Sequence, residues 1–254
     1  KFISSTSALE YGKGITSKKT NDSLDCLVTT GDNFKNVYYQ VFTLDDFKKA
    51  TDEIKPNTTL NIYVSSGGGS VFTTQAMMSI LDRTKKEKKC HIKAHLDGLA
   101  ASCASFLPMV ADEIIVYENT IMMLHKPMSG AWGNANELQK TINLLDKLEN
   151  DIMLPAYMSK AKEGITEDKI RDMLAAETWL NAEEINDIFN VTYIKEEKQA
   201  AANIDYSIIN KYRNVPQDLK KSFFNAQNKV KKPVMDQEIK EMVARIKEKA
   251  KEWA

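Results

Sequence analysis

Apolar and polar positions alternate along Leu60-Asn61-Ile62-Tyr63-Val64, as in a strand with one buried face. That run leads straight into Ser65-Ser66-Gly67-Gly68-Gly69-Ser70. Ala76, Met77, Ile80 and Leu81 then recur at helical spacing, up to a lysine-rich end at 85–89. Cys90, Ile92, Ala94 and Leu96 alternate with His91, Lys93 and His95, which predicts a second strand. Asp97-Gly98 is expected to turn the chain, and residues 100–110, small and apolar, to form a buried helix. Ile114 to Tyr117 and Ile121 to Leu124 read as short strands around a Glu118-Asn119 turn.

Upstream, residues 1–25 are polar and read as a loose arm. Val37 to Phe42 is strand-like; Thr43 is a plausible N-cap, with Asp46 at N3, a Phe42/Phe47 staple and a helix to about Ile54. Downstream, a loop over 126–135 precedes a long helix with Leu138, Ile142, Leu145 and Ile152 on one stripe, which Pro155 should kink or end. Thr166 is expected to cap a helix through Leu174, and Asn181-Ala182-Glu183-Glu184 to start another with a capping box. Residues 191–195 read as a last strand. From about 215 the chain turns Lys/Glu-rich, with Ile239, Met242, Val243, Ile246 and Trp253 at helical spacing. The expected organisation is an arm over 1–25, a main domain over 26–205 and a charged amphipathic helical tail over 206–254.

Strands alternating with helices imply an α/β fold of repeated β-α-β units with a mostly parallel sheet. In such sheets the chemistry gathers beyond the carboxyl ends of the strands. The glycine triplet, Ser102 and His125 all follow predicted strand ends, so one crevice is expected to hold them. Ser102 stands in Gly98-Leu-Ala-Ala-Ser-Cys-Ala-Ser105, and His125 in Met-Leu-His-Lys-Pro127. A serine hydroxyl attacks only when a base takes its proton, and the oxyanion that forms needs amide donors. The segment supplies a candidate for each part.

Composition narrows the picture. Lys and Arg number 35, as do Asp and Glu, for a formal net charge of zero. That argues against nucleic acid as the main partner. Three cysteines without metal spacing (Cys26, Cys90, Cys103) fit unpaired thiols in a reducing compartment. Cys90, His91 and His95 lack a fourth ligand for zinc. No Gly-Lys-Ser/Thr follows the glycines, so a P-loop is excluded. No apolar run reaches membrane-spanning length and no signal peptide is visible, so a cytoplasmic protein without a membrane partner is expected. The first residue is Lys1, not Met, which leaves the natural start open.

Four segments in order resemble the Clp protease proteolytic subunit (ClpP): Val64-Ser-Ser-Gly-Gly-Gly-Ser-Val71, Gly98-Leu-Ala-Ala-Ser102, Met122-Met-Leu-His-Lys-Pro127 and Glu177-Thr-Trp-Leu-Asn-Ala-Glu-Glu184. The resemblance spans roughly residues 37–195. It implies a serine endopeptidase of the ClpP/crotonase-like α/β fold, with a long handle-type helix, assembled as a homo-oligomeric ring around its active sites. In that reading Ser102 is the nucleophile, His125 the general base and Glu177 the third triad member. The backbone amides of Gly69 and Cys103 form the oxyanion hole. Two positions depart from the family pattern. Gly67 stands where the family has Pro, which loosens the loop. Glu177 aligns with an orienting Asp and is a methylene longer; Asp172 is the rival.

The resemblance implies polypeptide substrates and no metal or organic cofactor. Any ATP dependence requires a separate ATPase, since this chain carries no ATPase motif. The Thr178-Trp179-Leu180 version is most similar to phage and prophage peptidases, which implies head maturation and capsid or scaffold partners. Two other readings stand beside it: a crotonase-type acyl-CoA enzyme, which shares the fold without needing the Ser102/His125 pair, and a catalytically silent ring or scaffold component.

Overall fold

The strands expected on either side of the glycine-led helix form. β2 (Thr59–Ser66) and β3 (His91–Ala101) pair in parallel, and α2 (Val71–Lys88) crosses between them. The structure is a computed structural model that describes residues 26–30, 44–196 and 212–221. The arm at 1–25, the strand at 37–42 with its Thr43 cap, and the tail beyond 221 lie outside the described residues. The chain separates into two compact units, Lys1–Asn214 and Val215–Ala254.

Around β2 and β3 the sheet is mostly parallel, so the expected α/β architecture is observed. β1 (Cys26–Thr30) runs antiparallel to β2, while β4 (Glu113–Tyr117) and β7 (Thr192–Ile194) extend the parallel side in the order β1-β2-β3-β4-β7. β5 (Ile121–Leu124) pairs in parallel with the far end of β3 and antiparallel with β6 (Thr178–Leu180). α1 (Leu44–Asp52) buries Phe47 and Ala50, and α2 buries Met77, Ile80 and Leu81. Ser70 caps α2 by accepting from the Thr73 N–H at 3.3 Å. Among the described residues no helix is long and apolar enough to cross a membrane.

Two expectations are corrected. Asp97-Gly98 does not end the second strand; β3 continues to Ala101. Gly98, at φ +90°, lets the strand bulge, so Val64 pairs Leu96 but Ser66 pairs Ala100. Across the bulge β3 leaves β4, which it pairs through Leu96, and joins β5 from Leu99 onward. Thr120 fills the resulting gap: its hydroxyl donates to the Leu96 carbonyl at 2.7 Å and accepts from the Tyr117 N–H at 3.0 Å. The helix expected over 100–110 is therefore short and divided, as α3 (Cys103–Phe106) and a 3-10 turn (Leu107–Val110) with Pro108 inside it.

The long helix is also modified. α4 (Ala135–Lys147) opens with a capping box between Asn134 and Glu137. It widens into a π-helical segment (Leu148–Met153) and resumes as α5 (Leu154–Met158). Pro155 does not end the helix; the ladder widens to π-helical spacing in the turn before it, which accommodates the missing proline N–H. α6 (Glu167–Ala176) and α7 (Ala182–Ile188) start at Thr166 and Asn181, the latter with the expected Glu184 capping box.

Candidate active site

Ser102 sits where β3 ends and α3 begins, in a conformation few non-glycine residues adopt (φ 56°, ψ −128°). Such a backbone costs roughly 1–3 kcal/mol and persists only when its surroundings enforce it. Here the Ser102 N–H donates to the Met123 carbonyl at 2.9 Å, and the Ser102 carbonyl accepts from the Ser105 N–H at 2.9 Å and its hydroxyl at 2.6 Å. The Ser105 hydroxyl is held in turn by the fully buried Tyr157 phenol at 2.6 Å. The sharp turn aims the Ser102 side chain off the sheet.

His125 follows the end of β5 and is buried. Its Nε2 lies 2.6 Å from Ser102 Oγ, so a neutral imidazole can accept the serine proton. Burial lowers the His125 pKa below 6.5, and the negative charge of Glu177 pulls partly the other way. The next residue anchors the strand end: the Lys126 N–H donates to the Leu174 carbonyl at 3.1 Å, and its ammonium meets the buried Glu149 at 3.0 Å.

The glycine loop closes the third side. Gly68, at φ +91°, approaches the serine so closely that a Cβ there would stand 2.5 Å from Ser102 Cβ and 2.8 Å from the Ala101 carbonyl oxygen. Gly68, a position that sequence reasoning passed over, therefore admits no side chain without displacing the serine. The Gly69 carbonyl accepts from the Cys103 thiol at 3.0 Å, which ties the loop to the start of α3. Burial raises the Cys103 pKa, so this thiol stays protonated and donates. Cys103 is the first residue of its helix, and its N–H lacks an intrahelical partner. These residues border a cavity of about 380 Å³, whose apolar side is formed by Pro127, Met128, Leu144, Leu148 and Met153.

The carboxylate is placed less simply. Glu177 is the left-handed C-cap of α6 (φ 52°), not a residue leading into the next helix. Its Oε1 accepts from the Asn214 N–H at 2.7 Å, and no hydrogen bond joins it to His125 among the described residues. Asp172 is exposed on α6. His91 and His95 are away from the crevice, His91 near Asp112 and His95 between Tyr117 and Asn61.

Sequence reasoning also missed Tyr212. Its ring meets the His125 ring edge-on at 5.5 Å and the Trp179 ring at 5.7 Å, and its hydroxyl donates to the Gly67 carbonyl. Burial pushes its pKa up to about 12, with the Ser102 hydroxyl offsetting part of that rise, so the phenol is a donor at neutral pH. No local pattern marks it, because its partners lie far away in sequence.

Comparison with known proteins gives this arrangement a context. A model of the Clp protease family matches residues 39–189. The chain is 27% identical over 137 residues to an ATP-dependent Clp protease proteolytic subunit of Bacteroides fragilis, covering 52% of this chain and 62% of that protein. It is 29% identical over 136 residues to the one of Bacteroides thetaiotaomicron, covering 52% and 58%. The one of Porphyromonas gingivalis is 26% identical over 137 residues, covering 52% and 58%. The chain therefore matches less than two thirds of the length of these curated relatives.

Proposed function

The chain belongs to the Clp protease family, and on that premise we propose that it is a serine endopeptidase in which Ser102 is the nucleophile and His125 the base. The observation that carries this reading is the 2.6 Å contact between Ser102 Oγ and His125 Nε2, on a strained serine facing a glycine loop. As Oγ attacks a peptide carbonyl, its proton passes to Nε2. The amides of Gly69 and Cys103 receive the oxyanion. Collapse expels the amine, which takes the proton from Nε2 and leaves an acyl-Ser102. Water, deprotonated by the same nitrogen, attacks the ester and frees the acid. Glu177 serves the imidazolium by charge, and as its hydrogen-bonded partner once the Asn214 contact is exchanged. A crotonase-type acyl-CoA enzyme would not need the serine–histidine contact.

Polypeptides are the substrates, and copies of the chain assemble as a ring. The exposed apolar side chains of α4, Leu138, Ile142 and Leu144, suit contact with another copy. The Thr178-Trp179-Leu180 version, through its resemblance to phage and prophage peptidases, supports a role in head maturation on capsid or scaffold proteins. A fluorophosphonate tests the chemistry: it should label Ser102, and both Ser102→Ala and His125→Ala should abolish labelling. A folded, assembled chain that takes no label, with or without changes elsewhere in the site, defeats the peptidase assignment.

A further inference from the structure

We propose that Tyr212–Asn214 is an inhibitory strap that holds the candidate site in a latent state. The proposal rests on the peptidase reading for the roles of Ser102 and His125. Three anchors fasten the segment, one to each part of the machinery. The Tyr212 hydroxyl donates to the Gly67 carbonyl, which a peptide laid along the glycine loop would otherwise use as an acceptor. The Tyr212 ring stands edge-on over the His125 imidazole. The Asn214 N–H holds Glu177 Oε1 at 2.7 Å, and the Asn214 side-chain amide donates to the Ala176 carbonyl at 2.9 Å.

Each anchor opposes a step of acyl transfer. Substrate backbone and Tyr212 compete for the loop carbonyl. The ring excludes water from His125, which disfavours the imidazolium that must form when the serine proton arrives. The Asn214 N–H occupies the carboxylate oxygen that would otherwise steady that cation. Tyr212 also packs on Trp179, whose indole N–H is buried without an acceptor among the described residues. The closed arrangement therefore carries an unsatisfied donor, a cost that favours its release. Lifting the segment would return the Gly67 carbonyl to substrate and water to the imidazole, and leave Glu177 free to turn toward Nδ1.

The test uses the 254-residue chain and two readouts. The first is the rate of Ser102 labelling by a fluorophosphonate. It should rise about fivefold in Tyr212→Ala, the factor expected for one released hydrogen bond of ordinary net strength. The second needs no activity: the His125 titration midpoint by NMR in a Ser102→Ala background, assigned from the signal lost in His125→Gln. Adding Tyr212→Ala should move it up toward 6.5. Asn214→Pro, which removes the anchor on Glu177 together with the Asn214 side-chain bond to the Ala176 carbonyl and leaves Tyr212 in place, repeats both measurements should Tyr212→Ala fail to fold. If the parent chain labels and the folded variants label no faster, the strap is overturned. If nothing labels, the midpoint decides: a rise keeps the segment as a cover and removes the peptidase reading, and an unmoved midpoint removes both.

Discussion

Replacing Gly68 by alanine isolates the contact on which the crevice is built. Two costs combine there. The first is backbone: at φ +91° an L-residue is strained by roughly 1–2 kcal/mol. The second is steric: the new methyl would lie 2.5 Å from Ser102 Cβ, whereas carbon atoms settle near 3.5 Å, so loop and serine must separate by about 1 Å. Forcing a methyl into packed surroundings costs about 1–3 kcal/mol more. A displacement of that size at a reacting atom costs about 100-fold in rate. Gly164 supplies the control, because it has nearly the same φ (+89°) and nothing within 4 Å of its would-be Cβ. Gly164→Ala should lose only the backbone part and label normally at Ser102. Gly68→Ala should lose about 2–5 kcal/mol in all, by urea denaturation at matched protein concentration, and label about 100-fold more slowly. Equal stability and equal labelling in the two variants would refute the close approach of loop and Ser102.

Three further outcomes follow from two buried groups. His125 must be neutral to accept the serine proton, and burial lowers its pKa, so the acid limb of kcat/KM against pH should have its midpoint below 6.5. The same depressed pKa makes the unfolded chain the better proton binder, so its stability contribution is present above pH 6.5 and is lost as pH falls through the folded midpoint. An acid limb centred above 6.5 would contradict the burial of His125. Tyr157→Phe removes the partner of the Ser105 hydroxyl, which braces the Ser102 carbonyl, and should cost about 1 kcal/mol by urea denaturation. No loss of stability would mean that the Ser105–Tyr157 contact is not made.

β2, the first part of β3, α2 and the starts of α6 and α7 follow from periodicity and capping, because each buries one face or satisfies its own first amides. Ser102 and His125 were legible because each is the residue just past a strand end in a parallel sheet, where side chains converge whatever the rest of the chain does. Gly68 was less so: the three glycines look alike in sequence, and the close approach of Ser102 to Gly68 is a tertiary contact. Glu177 was legible as a residue near the site, but its partner was not. Its carboxylate accepts from an amide at Asn214, and that amide reaches it only through the return of the chain.

The sequence by itself determined the alternation of strands and helices, the glycine loop before α2 and the serine and histidine at strand ends. Those features depend on residues a few positions apart. Tertiary structure decided the rest. β3 runs through Asp97-Gly98 because its second half exchanges β4 for β5, and a strand's length is set by the partners that pair its amides. The serine holds its strained backbone because Met123, Ser105 and Tyr157 enforce it from other elements. Tyr212 reaches the Gly67 carbonyl across 145 positions, a contact invisible to any local pattern because only the folded sheet brings its two ends together.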